Sequence, residues 1–352
     1  MRVIIRADGN KEIAMGHIMR CLSIADALQG AGAEVIFVTA GEETRQLITD
    51  RGFENHVLGI SFREMEAELP VFRDYFEKNP ARWILVDSYF VTENYMKELS
   101  GWCKTAYLDD MGQPVYPVSV LINYNIYGKK LPYGEWYRQV GIKQPEKYLL
   151  GCEYAPLREE FQQGLCSRVS DAVKDVLITT GGGDAVNAAG GLCRRLVKEI
   201  EQGQHQGVRY HVVCGPFSEH KKELYELAEK QSAFTIHENV TRMSELMQKC
   251  DIAISAAGST MYELCSMQLP VICFYFAENQ RRMAECFGDT TEIVNAGNIT
   301  ADRENVIDRI CQELSVLEQD KEKRMRIRNQ MAELTDGMGT SRIAAELVAK
   351  RN

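Results

Sequence analysis

The sequence predicts an α/β protein made of two doubly wound parallel-sheet domains that face a cleft. Three observations predict it. The chain has 352 residues, more than one ordinary hydrophobic core organises. Short β-rich runs alternate with helix-length amphipathic segments from Arg2 to about Leu150, the signature of strand–helix–strand units. The same logic restarts at "DVLITTGGGDAVNAAGGLCRRLV", again a strand, a glycine turn and a helix.

In the first half "RVIIRA" (Arg2 to Ala7) reads as a buried strand, and a helix begins at Gly16. Within it Ile18, Cys21, Leu22, Ala25 and Leu28 recur at helical spacing and form one apolar face. "AEVIFVTA" is the next strand and residues from about Glu42 to Arg51 the next helix. "WILVDSY", the helical "TENYMKELS", "KTAYLDD" and "VSVLINYN" complete this series. In the second half "RYHVVCGP", "FTIHEN", "DIAISAAGS" and "PVICFYF" supply further strands. Helices fall around Lys221 to Lys230, Met243 to Lys249 and Thr260 to Met267. The polar stretch "YAPLREEFQQGLCSRVSD" suits a linker, so the expected division is 1–152, a linker over 153–172, and 173–352 ending in surface helices from Ala301. Paired units of this Rossmann-like kind bind ligands in the cleft between them.

Composition narrows the function. The formal net charge of −9 argues against a general nucleic-acid binder. No window approaches the roughly 20 apolar residues of a membrane span, and "MRVIIRADGN" lacks the apolar core of a signal peptide. The eleven cysteines lie in apolar runs, and Cys152/Cys166 and Cys265/Cys273 lack metal-ligand spacing. Buried thiols in a reducing, cytoplasmic setting are therefore expected, with no metal and no cofactor.

Chemistry concentrates at three places. In "RADGNKEIAMGH" a strand runs into a loop and a helix start, whose unpaired N–H groups suit an anion. Gly16 permits close backbone approach, and His17 sits in the first turn. It is either a general base in the neutral form or an exposed surface histidine. Arg6 and Asp8 would flank the same place, and Arg20 would pair with Asp8 or reach a phosphate. The second place is "ITTGGGD", where Gly181 and Gly182 let backbone approach a phosphate, although the Lys and spacing of a P-loop are missing. The bland reading there is a tight turn. The third is "SAAGSTMYELCSMQLPVICFYFAENQ". Ser259 and Thr260 offer hydroxyls to phosphate, Glu263 a carboxylate to a ribose, and "AENQ" arrives at the end of the next strand. A capped helix with a solvated glutamate is the alternative. Asp87, Asp109 and Asp110 end strands of the first half and are catalytic, metal-binding or capping; spacing does not rank these roles.

Together "RADGNKEIAMGHIMRCLSIADAL", "VDSY", "YLDD", "LINYN", "YAPLREEF", "TTGGGD" and "SAAGSTMYELC…LPVICFYFAENQ" give the chain from Arg2 to about Gln280 a specific likeness. It resembles the pseudaminic-acid biosynthesis hydrolases, which remove UDP from UDP-2,4-diacetamido-2,4,6-trideoxy-β-L-altropyranose. These are GT-B relatives of the bacterial peptidoglycan glycosyltransferase that adds N-acetylglucosamine to lipid I. The resemblance implies a GT-B fold, a UDP-sugar substrate and His17 as the active-site histidine. It implies that Tyr89, Asn279 and Gln280 line the sugar pocket. Gly181, Gly182, Ala257, Gly258, Ser259, Thr260 and Glu263 fall to the UDP, and Met243 and Leu246 to the uracil or to core packing. Three departures stand out: Ala14 for a glycine, Gly183 and Ala185 for the usual Ser or Thr and Pro, and Ala257 for a glycine.

The mechanism this implies is water attack at the anomeric carbon with inversion. His17 is the base, Asp8 the candidate to fix its tautomer, and helix starts and glycine turns stabilise the leaving diphosphate without a metal. A glycosyltransferase, a UDP-sugar 2-epimerase and a non-catalytic nucleotide-sugar sensor remain as alternatives. The sequence leaves the oligomeric state open.

Overall fold

The computed structural model describes residues 1–13, 15–162, 169–215 and 217–349. The chain divides into two compact units, one made of Met1–Arg158 with Met338–Asn352, the other of Glu159–Gly337.

In unit 1 the chain runs β1 (Arg2–Ala7), α1 (Gly16–Gly30), β2 (Glu34–Thr39), α2 (Arg45–Asp50), β3 (Glu54–Val57) and α3 (Met65–Lys78). It continues through β4 (Trp83–Asp87), α4 (Glu93–Trp102), β5 (Lys104–Leu108), β6 (Val120–Asn123), α5 (Tyr133–Val140) and β7 (Lys147–Leu150). The sheet order is β3-β2-β1-β4-β5-β6-β7, and every pair is parallel. The five apolar residues of the expected α1 face are all fully buried. α4 is capped by Thr92, whose hydroxyl accepts from the Tyr95 N–H at 3.1 Å, satisfying one of the unpaired donors of its first turn.

Unit 2 runs β8 (Asp175–Thr179), α6 (Ala188–Glu201), β9 (Arg209–Cys214), α7 (Lys221–Lys230), β10 (Phe234–Glu238), α8 (Met243–Lys249) and β11 (Ile252–Ala256). It continues through α9 (Thr260–Ser266), β12 (Val271–Tyr275), α10 (Glu278–Thr290), β13 (Val294–Asn298), α11 (Arg303–Gln319) and α12 (Lys321–Leu334). Its sheet order is β10-β9-β8-β11-β12-β13, again all parallel. The last helix, α13 (Gly339–Val348), belongs to unit 1.

That helix corrects the expected division. Residues 338–352 were expected with the second domain, but α13 packs against α1. Its apolar stripe, with Ile343, Ala344 and Leu347 buried, is the face that docks on this unit. α11 and α12 stay in unit 2. The two units divide at Arg158/Glu159, inside the expected linker, and residues 163–168 of that linker lie outside the described residues. All ten described cysteines are free thiols, nine of them buried; Cys166 falls outside the described residues. Among the described residues no helix is long and apolar enough to cross a membrane.

In each sheet the strand order reverses direction beside the first strand, between β1 and β4 in unit 1 and between β8 and β11 in unit 2. Loops leaving the carboxyl ends of strands at such a reversal splay apart, and open α/β sheets bind ligands there. His17 and Tyr89 follow β1 and β4, and Gly181, Gly182 and 257–260 follow β8 and β11, so these candidates fall at the two reversals. Asn279 and Gln280 instead follow β12, and Met243 and Leu246 lie in α8.

Candidate active site

In unit 1, β1 and β4 are neighbours in register, with Ala7 opposite Asp87. The chain leaving β1 turns through a loop in which the Asn10 side chain accepts from the N–H groups of Glu12 and Ile13. It enters α1 at Gly16, so His17 lies in the first helical turn and is buried, with 4% of its surface exposed. α1 has no side-chain N-cap and no acid in its first turn.

The imidazole meets the end of β4. His17 Nδ1 lies 2.7 Å from Asp87 Oδ1. One turn along α1, Arg20 grips the same carboxylate with two prongs, Nε to Oδ2 at 2.6 Å and Nη2 to Oδ1 at 2.5 Å. Its Nη1 donates to Asp110 Oδ2 at 2.5 Å and to the Tyr124 hydroxyl at 2.7 Å. The Cys21 thiol donates to Asp87 Oδ2 at 3.4 Å. Burial pushes the Asp87 carboxyl up, but the Arg20 charge, then His17 and the hydrogen bonds, outweigh it and hold the group well below the usual carboxylate range.

That charge settles the tautomer. An ionised Asp87 only accepts, so Nδ1 of His17 carries the proton and donates it to Oδ1. Arg20 Nη2 also lies 2.9 Å from Nδ1. Two donors cannot bond each other, so that proximity follows from both donating to the same oxygen. With Nδ1 turned to the carboxylate, a neutral ring carries its lone pair on Nε2. Tyr89 presents its ring edge-on to the imidazole, with centroids 4.4 Å apart at 77°. Its hydroxyl donates to Asp110 Oδ2 at 3.4 Å, and 40% of the residue is exposed.

Several expectations are corrected here. Asp8 does not touch His17; its Oδ1 accepts from the Ala40 N–H at 2.7 Å and its Oδ2 from Arg6 at 2.5 Å. Arg6 does not face a ligand. It is fully buried and held bidentate by Glu68, with both bonds at 2.7 Å, while Glu68 also accepts from the Tyr95 hydroxyl. A guanidinium taken out of water must be fully paired, and Glu68 from α3 together with Asp8 just after β1 do that. Arg20 pairs with Asp87 and Asp110 and not with Asp8. The three strand-end acids also separate. Asp109 is a buried turn acceptor for the N–H groups of Met111 and Gly112 and for the Tyr133 hydroxyl; burial raises its pKa. Asp110 and Asp87 are the partners of Arg20.

In unit 2, Gly181 has φ +83°, a conformation that favours glycine. Gly215, after β9, packs so closely on the turn that a Cβ there would lie 2.4 Å from the Gly181 carbonyl oxygen. Asp184 is buried and turns back on α6, accepting from the N–H groups of Ala188 at 2.7 Å and Ala189 at 2.9 Å. The protein's own carboxylate thus occupies the donors that a phosphate would need at that helix start. Gly181 and Gly182 remain a backbone turn beside β11.

The segment after β11 continues the neighbouring ladder: the Ala257 N–H donates to the Phe274 carbonyl at 2.8 Å. Ser259 is exposed, Gly258, Thr260 and Glu263 are half-buried, and Ser259 makes no side-chain cap bond to α9. Asn279 is exposed in the first turn of α10, and the Gln280 side chain accepts from the Phe276 N–H at 3.2 Å. Met243 opens α8 half-buried, while Leu246 is buried, as core packing requires. Two departures cost nothing in backbone strain. Ala185 and Ala257 are not among the described non-glycine residues with positive φ, which are Asn187, His205, Asn239 and Gln268. At Gly183 a Cβ would meet only Phe217 Cβ at 3.8 Å. Ala14 lies outside the described residues.

Residues 178–340 match the glycosyltransferase family 28 C-terminal domain. An uncharacterized protein of Methanocaldococcus jannaschii is 26% identical over 306 residues, covering 82% of this chain and 58% of that protein. The pseudaminic acid cytidylyltransferase and UDP-2,4-diacetamido-2,4,6-trideoxy-beta-L-altropyranose hydrolase of Helicobacter pylori is 30% identical over 140 residues, covering 40% of this chain and 24% of that protein. The chain thus spans little more than half of the first of these relatives and about a quarter of the second. Among solved structures, MurG of Acinetobacter baumannii superposes with a TM-score of 0.67 at 14% identity, covering 98% of this chain and 99% of that one. The fold is GT-B, with two parallel-sheet, Rossmann-like units.

Proposed function

We propose that the protein is a nucleotide-sugar hydrolase that cleaves a UDP-activated 2,4-diacetamido-2,4,6-trideoxyhexose to UDP and the free sugar, with inversion at the anomeric carbon, in a nonulosonic-acid pathway of the pseudaminic type. The observation that carries this reading is the His17–Asp87–Arg20 arrangement, in which the carboxylate takes the Nδ1 side of the ring and leaves Nε2 as the site for a proton. The likeness of 140 residues to the Helicobacter pylori protein supports the substrate class.

In this reading the oxygen of a water attacks the anomeric carbon and its proton passes to His17 Nε2. The bond from that carbon to the diphosphate oxygen breaks, and its electron pair leaves with UDP. The positive charge gathered on the imidazole is balanced by Asp87, which Arg20 keeps ionised. Tyr89, Asn279 and Gln280 are assigned to the sugar. Gly181, Gly182, Ala257, Gly258, Ser259, Thr260 and Glu263 are assigned to the UDP, with Met243 at the uracil.

The experiment is to incubate the protein with a panel of UDP-activated trideoxy sugars and follow UDP release and product stereochemistry by NMR. The proposal expects UDP and an inverted free sugar with no acceptor present. His17→Asn should still bind UDP but lose turnover; an unchanged rate ends the role given to His17. A second reading, a UDP-sugar-dependent glycosyltransferase, is favoured by the match of residues 178–340. It expects UDP release only when an acceptor is added.

A further inference from the structure

The two loops that bring His17 and Tyr89 together are also joined at a second point, away from the imidazole. The β1–α1 loop carries Glu12, five positions before His17, and the loop after β4 carries Phe90, next to Tyr89. Between them stands Arg63, from the segment joining β3 to α3. Its Nη2 donates to Glu12 Oε2 at 2.5 Å. Its guanidinium carbon lies 5.2 Å from the ring centre of Phe90 and 5.3 Å from that of Phe62. The two rings pack edge-to-face with centroids 5.3 Å apart.

We infer that Arg63 is a positioning residue of the reaction: one guanidinium, paired with Glu12 and laid on Phe90, clasps the loop leading to His17 to the loop that holds Tyr89 against it. The inference rests on the hydrolase reading above for what the clasp does, though its geometry is independent of it.

The chemistry of the pair separates this role from a stabilising one. The side chains of Arg63 and Glu12 are 56% and 59% exposed. An exposed ion pair adds little to global stability, because water competes for both partners. A guanidinium over aromatic faces is held by the ring quadrupole, and its planarity makes lysine a poor substitute. The loop after β4 has other anchors: the Ser88 hydroxyl accepts from the Phe90 N–H, and the Val91 carbonyl accepts from Tyr116. The loop therefore keeps its fold without Arg63 and loses only this second tie to the β1–α1 loop, the one through Glu12. A small displacement of reacting groups is costly to rate even where it is nearly invisible in stability.

The test uses the full chain and three variants, Arg63→Ala, Arg63→Lys and Glu12→Gln. Steady-state UDP release from the trideoxy-sugar nucleotide should show kcat reduced about five- to twenty-fold in Arg63→Ala, with KM moved less than about twofold. Arg63→Lys keeps a charge for Glu12 but not the planar stack, and should fall between wild type and Arg63→Ala. Glu12→Gln keeps the stack and should lose less. Thermal midpoints should stay together. An Arg63→Ala kcat equal to wild type, or a fall in kcat matched by lost stability, overturns the inference. Should the wild-type protein release no UDP, the hydrolase reading fails, and the clasp is judged by hydrogen–deuterium exchange. Arg63→Ala must then speed exchange in peptides covering 9–13 and 88–92 while β8 is unchanged. Unchanged exchange in both loops overturns it.

Discussion

Replacing Asp87 by asparagine changes one atom of the carboxylate and reverses the logic of the pair. In the wild-type protein both oxygens are filled by donors: His17 Nδ1 and Arg20 Nη2 on Oδ1, Arg20 Nε and Cys21 on Oδ2. An amide offers one oxygen and one NH2 group, and no orientation satisfies both sides. With its oxygen toward Arg20, the amide donates to Nδ1, moves the imidazole proton to Nε2 and abolishes the base. With its oxygen toward His17, the NH2 group faces the Arg20 guanidinium, donor against donor. General-base catalysis is worth about 10² to 10⁴ in rate, and an amide in place of an orienting carboxylate costs about 10⁴ in another Asp–His pair. We therefore expect kcat to fall about 10³-fold in Asp87→Asn, equivalent to roughly 4 kcal/mol of barrier. UDP affinity should be unchanged, because Asp87 belongs to unit 1 and the proposed nucleotide contacts to unit 2. The assay is steady-state UDP release, paired with ¹⁵N-histidine NMR to read the His17 tautomer directly. A kcat within about threefold of wild type refutes the reasoning, and the His17 tautomer tells which of the two orientations the amide takes. The NMR readout holds whichever nucleotide sugar is the substrate.

Two further outcomes follow from unit 2. His205 is buried against Glu199 and Glu318, with bonds of 3.1 and 2.6 Å; burial lowers its pKa, but the Glu318 and then the Glu199 interactions outweigh this and raise it. A raised folded-state value means that stability is fully present below the unfolded value, about 6.5, and is lost as pH rises through the folded one. The thermal midpoint should thus decline as pH rises above about 6.5. His205→Asn, which tolerates the local φ of +53°, should flatten that decline; an identical slope contradicts the assignment. Removing the Asp184 carboxylate frees the N–H groups of Ala188 and Ala189, so Asp184→Ala should cost about 1–2 kcal/mol in denaturant melts while UDP affinity is retained. A large loss of UDP affinity at unchanged stability would move the phosphate contact to Asp184 and its helix.

Much of this architecture was legible because buried parallel strands are written as unbroken apolar runs, as in "RVIIRA", "WILVD" and "DVLIT". Strands β3, "ENHV", and β13, "VNAGN", escaped for the converse reason: they lie at the sheet edges, are largely half-buried and carry polar residues. His17 stood out from its place at a strand–helix junction. Asp87 also stood out as a strand-end acid, but its pairing with His17 did not, because it is 70 residues away and meets the imidazole only through the pairing of β1 with β4. Arg6 was read as a ligand residue because a strand-end arginine looks the same whether it points at solvent or at Glu68. The partner that decides between them is 62 residues distant. Of the two that complete the grip on Arg20, Asp110 was named among the strand-end acids without a ranked role, and Tyr124 was within reach only as a member of "LINYN".

The most direct test of the central claim is to run the reaction without acceptor in ¹⁸O-labelled water and read the mass of the UDP released. Attack by water at the anomeric carbon breaks the carbon–oxygen bond, so the account predicts unlabelled UDP. Reading UDP also avoids exchange at the anomeric hydroxyl of the free sugar. Label in the β-phosphate of UDP, or no UDP released without an acceptor, would contradict it.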